Sequence, residues 1–141
     1  MIISIASDHA GFSHKAYIKN KLEKTGYVIL DHGCNSIETC DYPDYAQKLC
    51  SSILEKQSDC GILICSTGIG MSICANRFSG IKAALCCNEF MARKAREHNN
   101  ANVLVLGSSL YTRRKALIMT NVFLAAEFEG GRHLSRLAKI S

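Results

Sequence analysis

The stretch CGILICSTGIGMSICANR, residues 60–77, determines how the rest of the chain is interpreted. Its apolar run at residues 62–64 is typical of a strand that is buried on both faces of a parallel sheet. Small and polar residues at positions 66, 67, 68 and 70 then predict a short turn, which leads into a helical pattern. The backbone N–H groups of such a turn and the positive end of the helix can together hold an anion.

Cys65 stands at the entrance of this turn, where the strand ends and the loop begins. A thiol that faces N–H donors and a helix N-terminus is held where its thiolate form is favoured. The residues alone leave two interpretations open, a reactive thiol and an inert cysteine at a strand end. We treat residues 65–70 as the candidate active site.

The composition is that of one ordinary domain, which we place over residues 1–141. Of the residues, 48% are hydrophobic and 21% are charged, and the length is sufficient to bury a full core. No apolar run approaches the roughly 20 residues of a membrane span, and residues 1–5 lack the basic flank of a signal peptide. We therefore expect a cytoplasmic protein that makes no membrane contact.

The spacing of the eight cysteines argues against disulfides and against a metal site. No Cys-x-x-Cys pair occurs, and Cys86 and Cys87 are adjacent, which suits neither a normal bridge nor a tetrahedral zinc site. Apart from Cys65, we expect small buried hydrophobic residues in a reducing compartment. The net charge of +5 is spread along the chain, so a small anionic ligand explains it as well as nucleic acid would, and we expect no nucleic acid.

Strand and helix patterns alternate along the whole chain. Five strands are predicted at residues 1–7, 27–30, 60–65, 80–87 and 103–106. The alternation predicts a three-layer α/β/α sandwich around a five-stranded parallel, Rossmann-like sheet, with the polar strand ends at one edge. The last long helix, residues 112–126, is apolar nearly all round, which indicates a subunit interface.

Familiar phosphate-binding motifs do not fit residues 65–73. A Walker A loop needs lysine after its last glycine and a Cys-x5-Arg phosphatase loop needs arginine at position 71, where Met71 stands. A dinucleotide fingerprint needs a third small residue where Ile73 stands, so that pattern is weak. A thiol with N–H donors nearby suits removal of a proton next to a carbonyl in a phosphorylated substrate, with the N–H groups holding the enediolate oxygens.

Five sequence blocks carry a resemblance to a known family. They are SDHAG at 7–11, DYPDYA at 41–46, CSTGIG at 65–70, REHNNANV at 96–103 and EGGRHLSR at 129–136. In this order and along nearly the whole length, the chain resembles the ribose-5-phosphate isomerase type B family, which also contains galactose- and allose-6-phosphate isomerases. The resemblance implies interconversion of D-ribose 5-phosphate and D-ribulose 5-phosphate through a cis-enediolate, in the non-oxidative pentose phosphate pathway. It also implies that the reaction needs no metal and no cofactor.

The resemblance implies catalytic roles for Cys65, Thr67 and His98. Cys65 matches the base that moves a proton between C2 and C1, and Thr67 and His98 match residues that open the furanose ring. Another branch of the family places a glutamate base where Ile69 stands, so this chain matches the cysteine type. From the residues alone, Thr67 is also explained as a capping hydroxyl and His98 as a partner of the helix dipole.

The resemblance also implies a set of substrate-binding residues. They are Asp8, His9, Tyr42, Ser66, Gly68, Ile69, Gly70, Asn99, Arg132 and Arg136. His9 and the two arginines match phosphate contacts, although arginines near the end of a chain are also explained as solvated charges. Two positions depart from the family pattern, because Ser66 replaces a usual glycine and Ser109 replaces an arginine that many members use for phosphate.

The family works as a dimer or tetramer whose sites are each built from two subunits, so we expect a homodimer or homotetramer. Two alternative functions stay open. One is an isomerase of a six-carbon sugar phosphate, and the other is a sugar-phosphate-binding module that has lost catalysis, which the departures at Ser66 and Ser109 motivate. A redox-sensing role for the cysteines is a third and weaker possibility.

Overall fold

The computed structural model describes residues 1–140, within which five strands and six helices follow one another. The strands are β1 (Ile2–Ser7), β2 (Val28–Asp31), β3 (Cys60–Cys65), β4 (Ala83–Leu85) and β5 (Val103–Gly107). The helices are α1 (Phe12–Lys24), α2 (Tyr42–Leu54), α3 (Ile69–Ala75), α4 (Glu89–Glu97), α5 (Arg113–Ala125) and α6 (Arg132–Leu137). Among these helices, none has the length and apolar character needed to cross a membrane.

The sheet is entirely parallel, in the order β2-β1-β3-β5-β4, and its central strand is the apolar run from which the sequence interpretation began. All six residues of β3 are buried. Ile62 and Ile64 face one apolar layer, to which α1, α4 and α5 contribute, while Leu63 and Cys65 face a second layer with α2 and α3. The predicted three-layer sandwich with a five-stranded parallel sheet is therefore confirmed.

β4 is much shorter than the predicted strand at residues 80–87, since it spans Ala83–Leu85. Two asparagine side chains replace the expected strand pairing at its beginning. Asn102 Oδ1 accepts the N–H of Lys82 at 2.8 Å, and Asn76 Oδ1 accepts the N–H of Ala83 at 2.8 Å. These side-chain bonds satisfy the backbone before the ladder with β5 begins.

The eight cysteines are all free thiols, and five of them are buried, while Cys40 and Cys74 are half-buried. Cys87 is exposed, so the prediction of a buried side chain is wrong there, because Cys87 lies beyond the end of β4. Burial raises the pKa of the Cys50 and Cys86 thiols to about 12 and that of Cys60 to about 11. At neutral pH these three side chains are uncharged, as expected for small buried hydrophobic residues.

Candidate active site

Cys65 ends the central strand, and its thiol is held by the loop that follows. The residue is 5% exposed, and its Sγ accepts the backbone N–H of Gly68 at 3.1 Å. The sulfur atom thus contacts a backbone N–H donor of the loop directly. The predicted arrangement of a thiol beside a loop N–H donor is therefore present.

Close packing at two glycines fixes the path of this loop. Gly68 has a φ of +82°, and a Cβ there would lie 2.5 Å from Leu85 Cδ1. A Cβ at Gly70 would lie 2.5 Å from Cζ of Tyr42, so the Tyr42 ring packs directly on the loop. The loop can take this course only without side chains at these positions, and Tyr42 lies against it, while its role in substrate binding stays a prediction.

Thr67 is not the N-cap of α3, because that position is Gly68 and no side chain caps the helix, but the Thr67 hydroxyl binds the turn before it. Its Oγ1 accepts the N–H of Ile69 at 3.3 Å, at the first residue of α3. The hydroxyl thus orders the turn between Cys65 and the helix. The role of Thr67 in ring opening stays a prediction.

The end of β1 reaches the same edge of the sheet and brings Asp8 and His9 with it. Asp8 donates its N–H to the carbonyl of Ile64 in β3 at 3.2 Å, and its carboxylate accepts the N–H of Gly11 at 3.1 Å. Gly11 is required because a Cβ there would lie 2.5 Å from the carbonyl oxygen of Ile64. Asp8 therefore shapes the turn beside β3 and is buried while doing so.

His9 is held in one tautomer when its ring is neutral. Its Nδ1 accepts the backbone N–H of Cys40 at 3.2 Å, so the ring proton lies on Nε2. An imidazole oriented in this way presents an N–H donor, which suits an oxygen of a phosphate or a sugar hydroxyl. The loop before α2 thus orients a residue that the sequence could only nominate.

The two departures from the family pattern, Ser66 and Ser109, are bonded to each other. Their hydroxyl oxygens lie 2.8 Å apart, and Ser109 donates its N–H to the Ser66 carbonyl at 2.9 Å. Next to them, Ser108 donates its N–H to the Cys65 carbonyl at 2.8 Å, so the loops after β3 and β5 are joined. The side chain at Ser66 is therefore accommodated by the one at Ser109, a pairing across 43 positions that the sequence pattern did not indicate.

Arg113, an arginine four residues after Ser109, packs against another helix. Its guanidinium lies over the ring of Tyr17, 5.4 Å from the ring centroid, which places it against α1. Its role in the structure is a cation–π contact between α5 and α1.

The other predicted residues form a second group around the end of α4. His98 caps this helix, and its ring stacks on that of His133 with the centroids 4.3 Å apart. Nε2 of His98 also lies 3.7 Å from Oε2 of Glu129. Asn99 shares a groove with Leu137 of α6, the helix that carries the exposed Arg132 and Arg136.

The topology places the two groups at opposite ends of the parallel strands, which are called here the carboxyl edge and the amino edge of the sheet. Because β4 and β5 are parallel neighbours, α4 runs back from the carboxyl edge, where Cys65 lies, to the amino edge, where β5 begins. A strand rises by about 3.3 Å per residue, so the five residues of β5 separate the edges by roughly 15 Å. Within residues 1–140, the fold therefore does not bring His98 together with Cys65.

Known proteins are similar to this chain in both sequence and fold. The sequence model of the Ribose/Galactose Isomerase family matches residues 3–140. The chain belongs to this family. Ribose-5-phosphate isomerase B of Escherichia coli is 40% identical over 139 residues, covering 99% of this chain and 93% of the relative.

Solved structures from the family superpose closely on this chain. A ribose 5-phosphate isomerase of Thermotoga maritima has a TM-score of 0.97 and 52% identity, covering 99% of this chain and 96% of that one. Ribose-5-phosphate isomerase B of Mycoplasma genitalium, solved with bound ribulose-5-phosphate, has a TM-score of 0.94 and 41% identity, covering 99% and 93%. The family and the fold that the five sequence blocks implied are confirmed.

Proposed function

We propose that this chain interconverts D-ribose 5-phosphate and D-ribulose 5-phosphate, with Cys65 as the base. The observation that carries the proposal is the Cys65 thiol at the end of the central strand, with its Sγ accepting the N–H of Gly68. The relatives at 40% identity and the homologue solved with ribulose-5-phosphate support the same reaction. The comparisons do not favour a six-carbon sugar phosphate or a binding module without catalysis.

The chemistry begins when the Cys65 thiolate removes the proton from C2 of the open-chain aldose. The electron pair of the C–H bond forms a C1–C2 double bond, and the negative charge moves to O1. The proton of the C2 hydroxyl passes to O1, the thiol returns its proton to C1, and a carbonyl remains at C2. N–H groups of residues 66–70 stabilise the enediolate, as preorganised donors do for developing negative charge.

The ring-opening step requires an acid, and the proposal assigns it to His98 with help from Thr67. Since His98 lies at the opposite edge of the sheet from Cys65, the proposal places His98 of one copy beside Cys65 of another. Asn99, Arg132 and Arg136 lie at the same edge as His98 and would enter the site with it, while Asp8, His9, Tyr42 and the loop come from the Cys65 copy. A homodimer is the smallest assembly that provides such a site, and a homotetramer can contain two such dimers.

The phosphate group of the substrate is assigned to His9 together with Arg132 and Arg136. The neutral His9 ring offers its Nε2–H, and the two exposed guanidiniums lie one helical turn apart on α6. The proposal includes a cytoplasmic location, which suits eight free cysteines because a reducing compartment keeps thiols from pairing.

The proposal is tested by turnover of the purified protein on ribose 5-phosphate, allose 6-phosphate and galactose 6-phosphate, with and without a chelator. We expect ribose 5-phosphate to have the highest kcat/KM and the chelator to leave turnover unchanged. A higher kcat/KM on a six-carbon substrate would contradict the substrate assignment. Binding of all three sugars without isomerisation would contradict catalysis.

A further inference from the structure

Three side chains from separate parts of the chain converge at the amino edge of the sheet. His98, Glu129 and His133, called the histidine cluster below, have ligand atoms that all lie within 4.8 Å of one another. Two imidazoles and one carboxylate are the donor set that zinc prefers when one position is left open. The residues are 31 and 4 positions apart along the chain, so no metal-binding spacing marked them in the sequence.

The backbone around the histidine cluster positions the three side chains. Glu129 donates its N–H to the carbonyl of Glu97 at 3.0 Å, which fastens the segment before α6 to the end of α4. His98 follows directly and donates its own N–H to the carbonyl of Lys94. His133 lies in the first turn of α6, four residues after Glu129. The distances within the cluster therefore follow from the fold and not from flexible side chains alone.

One nitrogen of the histidine cluster is buried and lacks a hydrogen bond. His133 is 5% exposed, and its Nε2 lies 3.4 Å from Oε2 of Glu129 without forming a hydrogen bond to any atom of residues 1–140. A buried polar atom is costly to leave unpaired, and a metal ion would use its lone pair. This atom points at the same carboxylate oxygen that His98 Nε2 faces from 3.7 Å.

Two of the three separations between the ligand atoms fit a tetrahedral ion. Zinc lies about 2.0–2.1 Å from nitrogen and oxygen ligands, so neighbouring ligand atoms are roughly 3.4 Å apart. The separations of 3.4 and 3.7 Å from Glu129 to the two histidines match this edge length. The imidazole planes of His98 and His133 stack at an angle of 19°. Binding one ion between them therefore requires both rings to rotate apart about their Cβ–Cγ bonds.

We propose that the histidine cluster binds a Zn²⁺ ion through Nε2 of His98, Nε2 of His133 and the carboxylate of Glu129. Within the single chain the fourth position is open, because Glu129 and His98 are partly exposed. This part of the inference rests on the proposed function: the ion is an inhibitor, because a nitrogen of His98 that binds zinc cannot carry the proton that His98 donates in ring opening. The site thus gives zinc a means of lowering turnover in an enzyme whose reaction needs no metal.

The test begins with binding and does not depend on activity. Metal-free protein is titrated with Co²⁺ and with Zn²⁺, and the visible spectrum of bound Co²⁺ reports its ligands. We expect one ion per chain and a tetrahedral spectrum without the thiolate charge-transfer band that binding to cysteines would give. Glu129→Gln should weaken the affinity by about tenfold or more, as expected for loss of a charged ligand. Glu127→Gln is the matched control, because Glu127 is a nearby exposed carboxylate outside the cluster. This variant should bind the metal ion with the affinity of the native chain.

Equal affinity in the native chain and Glu129→Gln, or a spectrum dominated by thiolate, would overturn the site. Because His133 is buried, His133→Gln serves only as a second variant whose folding is checked by circular dichroism. Turnover then tests inhibition separately: Zn²⁺ should inhibit the native chain and the Glu127→Gln control at the concentration that fills the site. Absence of isomerase activity in the metal-free protein would contradict the proposed function and leave the binding result standing.

Discussion

The Cys65 loop (residues 65–70) and the histidine cluster are built in contrasting ways. The loop is one contiguous segment, its thiol is buried, and its path is fixed by packing at Gly68 and Gly70. The cluster joins two segments that are 31 positions apart along the chain, and two of its side chains are partly exposed. The difference fits the proposal that one strand-loop-helix unit holds the groups for proton transfer at carbon, while His98 at the other edge acts in another copy.

The sharpest test of this division mixes two inactive variants. Cys65→Ala should lose the base and His98→Asn should lose the ring-opening acid, so each alone should be nearly inactive. If every site takes Cys65 from one copy and His98 from another, mixed dimers contain one intact site. Subunit exchange between equal amounts should then restore about a quarter of native turnover, because half of the dimers are mixed and each of them has one of two sites intact.

The control for this experiment is exchange of each variant with itself, which should restore nothing. Failure of the mixture to recover turnover, with subunit exchange verified by mass spectrometry, would contradict a site shared between copies. It would also require His98 to act from within its own chain, along the length of the strands that separate it from Cys65.

A smaller effect is expected from displacing the Cys65 loop without touching the thiol. Gly68→Ala places a methyl group 2.5 Å from Leu85 Cδ1, so the loop must shift. Misplacement of catalytic groups by about 1 Å lowers turnover by about a hundredfold. Gly26→Ala is the matched control, because Gly26 also has a positive φ, +93°, but a Cβ there meets nothing within 4 Å.

Both glycine variants should lose stability through backbone strain of roughly 1–2 kcal/mol, measured by urea unfolding. Turnover should fall only in Gly68→Ala. Equal turnover in the two variants would mean that the packing of the loop against Leu85 does not position the thiol or its N–H donors.

The smallest effect is expected at His9, whose orientation depends on a backbone donor. Cys40→Pro removes the N–H that His9 Nδ1 accepts, while Cys40→Ala keeps it. We expect KM for ribose 5-phosphate to rise by about tenfold in Cys40→Pro with little change in kcat, comparable to loss of one charge-assisted hydrogen bond. Nitrogen NMR of the His9 ring provides the structural check, since only the proline variant should lose the single tautomer.

The elements that depend on neighbouring residues in the sequence could be predicted. The apolar run and glycines at residues 60–70 indicated a buried parallel strand, a turn and a helix, and the structure contains them as β3, the loop and α3. The predicted strand at 80–87 was too long, because the asparagine side chains that cap its start come from positions 76 and 102. Pairings between distant positions leave no periodic signal in the sequence.

The same reason explains what was missed in the site. The Ser66–Ser109 pair joins two loops that only the order of β3 and β5 brings together. Of the histidine cluster, only the spacing of four between Glu129 and His133 was visible in the chain, and two intervening glycines obscured it as a helical signal. His98 was nominated by family resemblance, but its distance from Cys65 became clear only from the course of α4.

The central claim is that the Cys65 thiolate removes the proton from C2. The most direct measurement is release of deuterium from C2-deuterated ribose 5-phosphate by the native chain and by Cys65→Ala, with substrate affinity measured in parallel. The predicted result is a fall in release of about 10²–10⁴-fold, the contribution of a positioned base, with affinity unchanged. Release at the native rate by Cys65→Ala would contradict the assignment of the base.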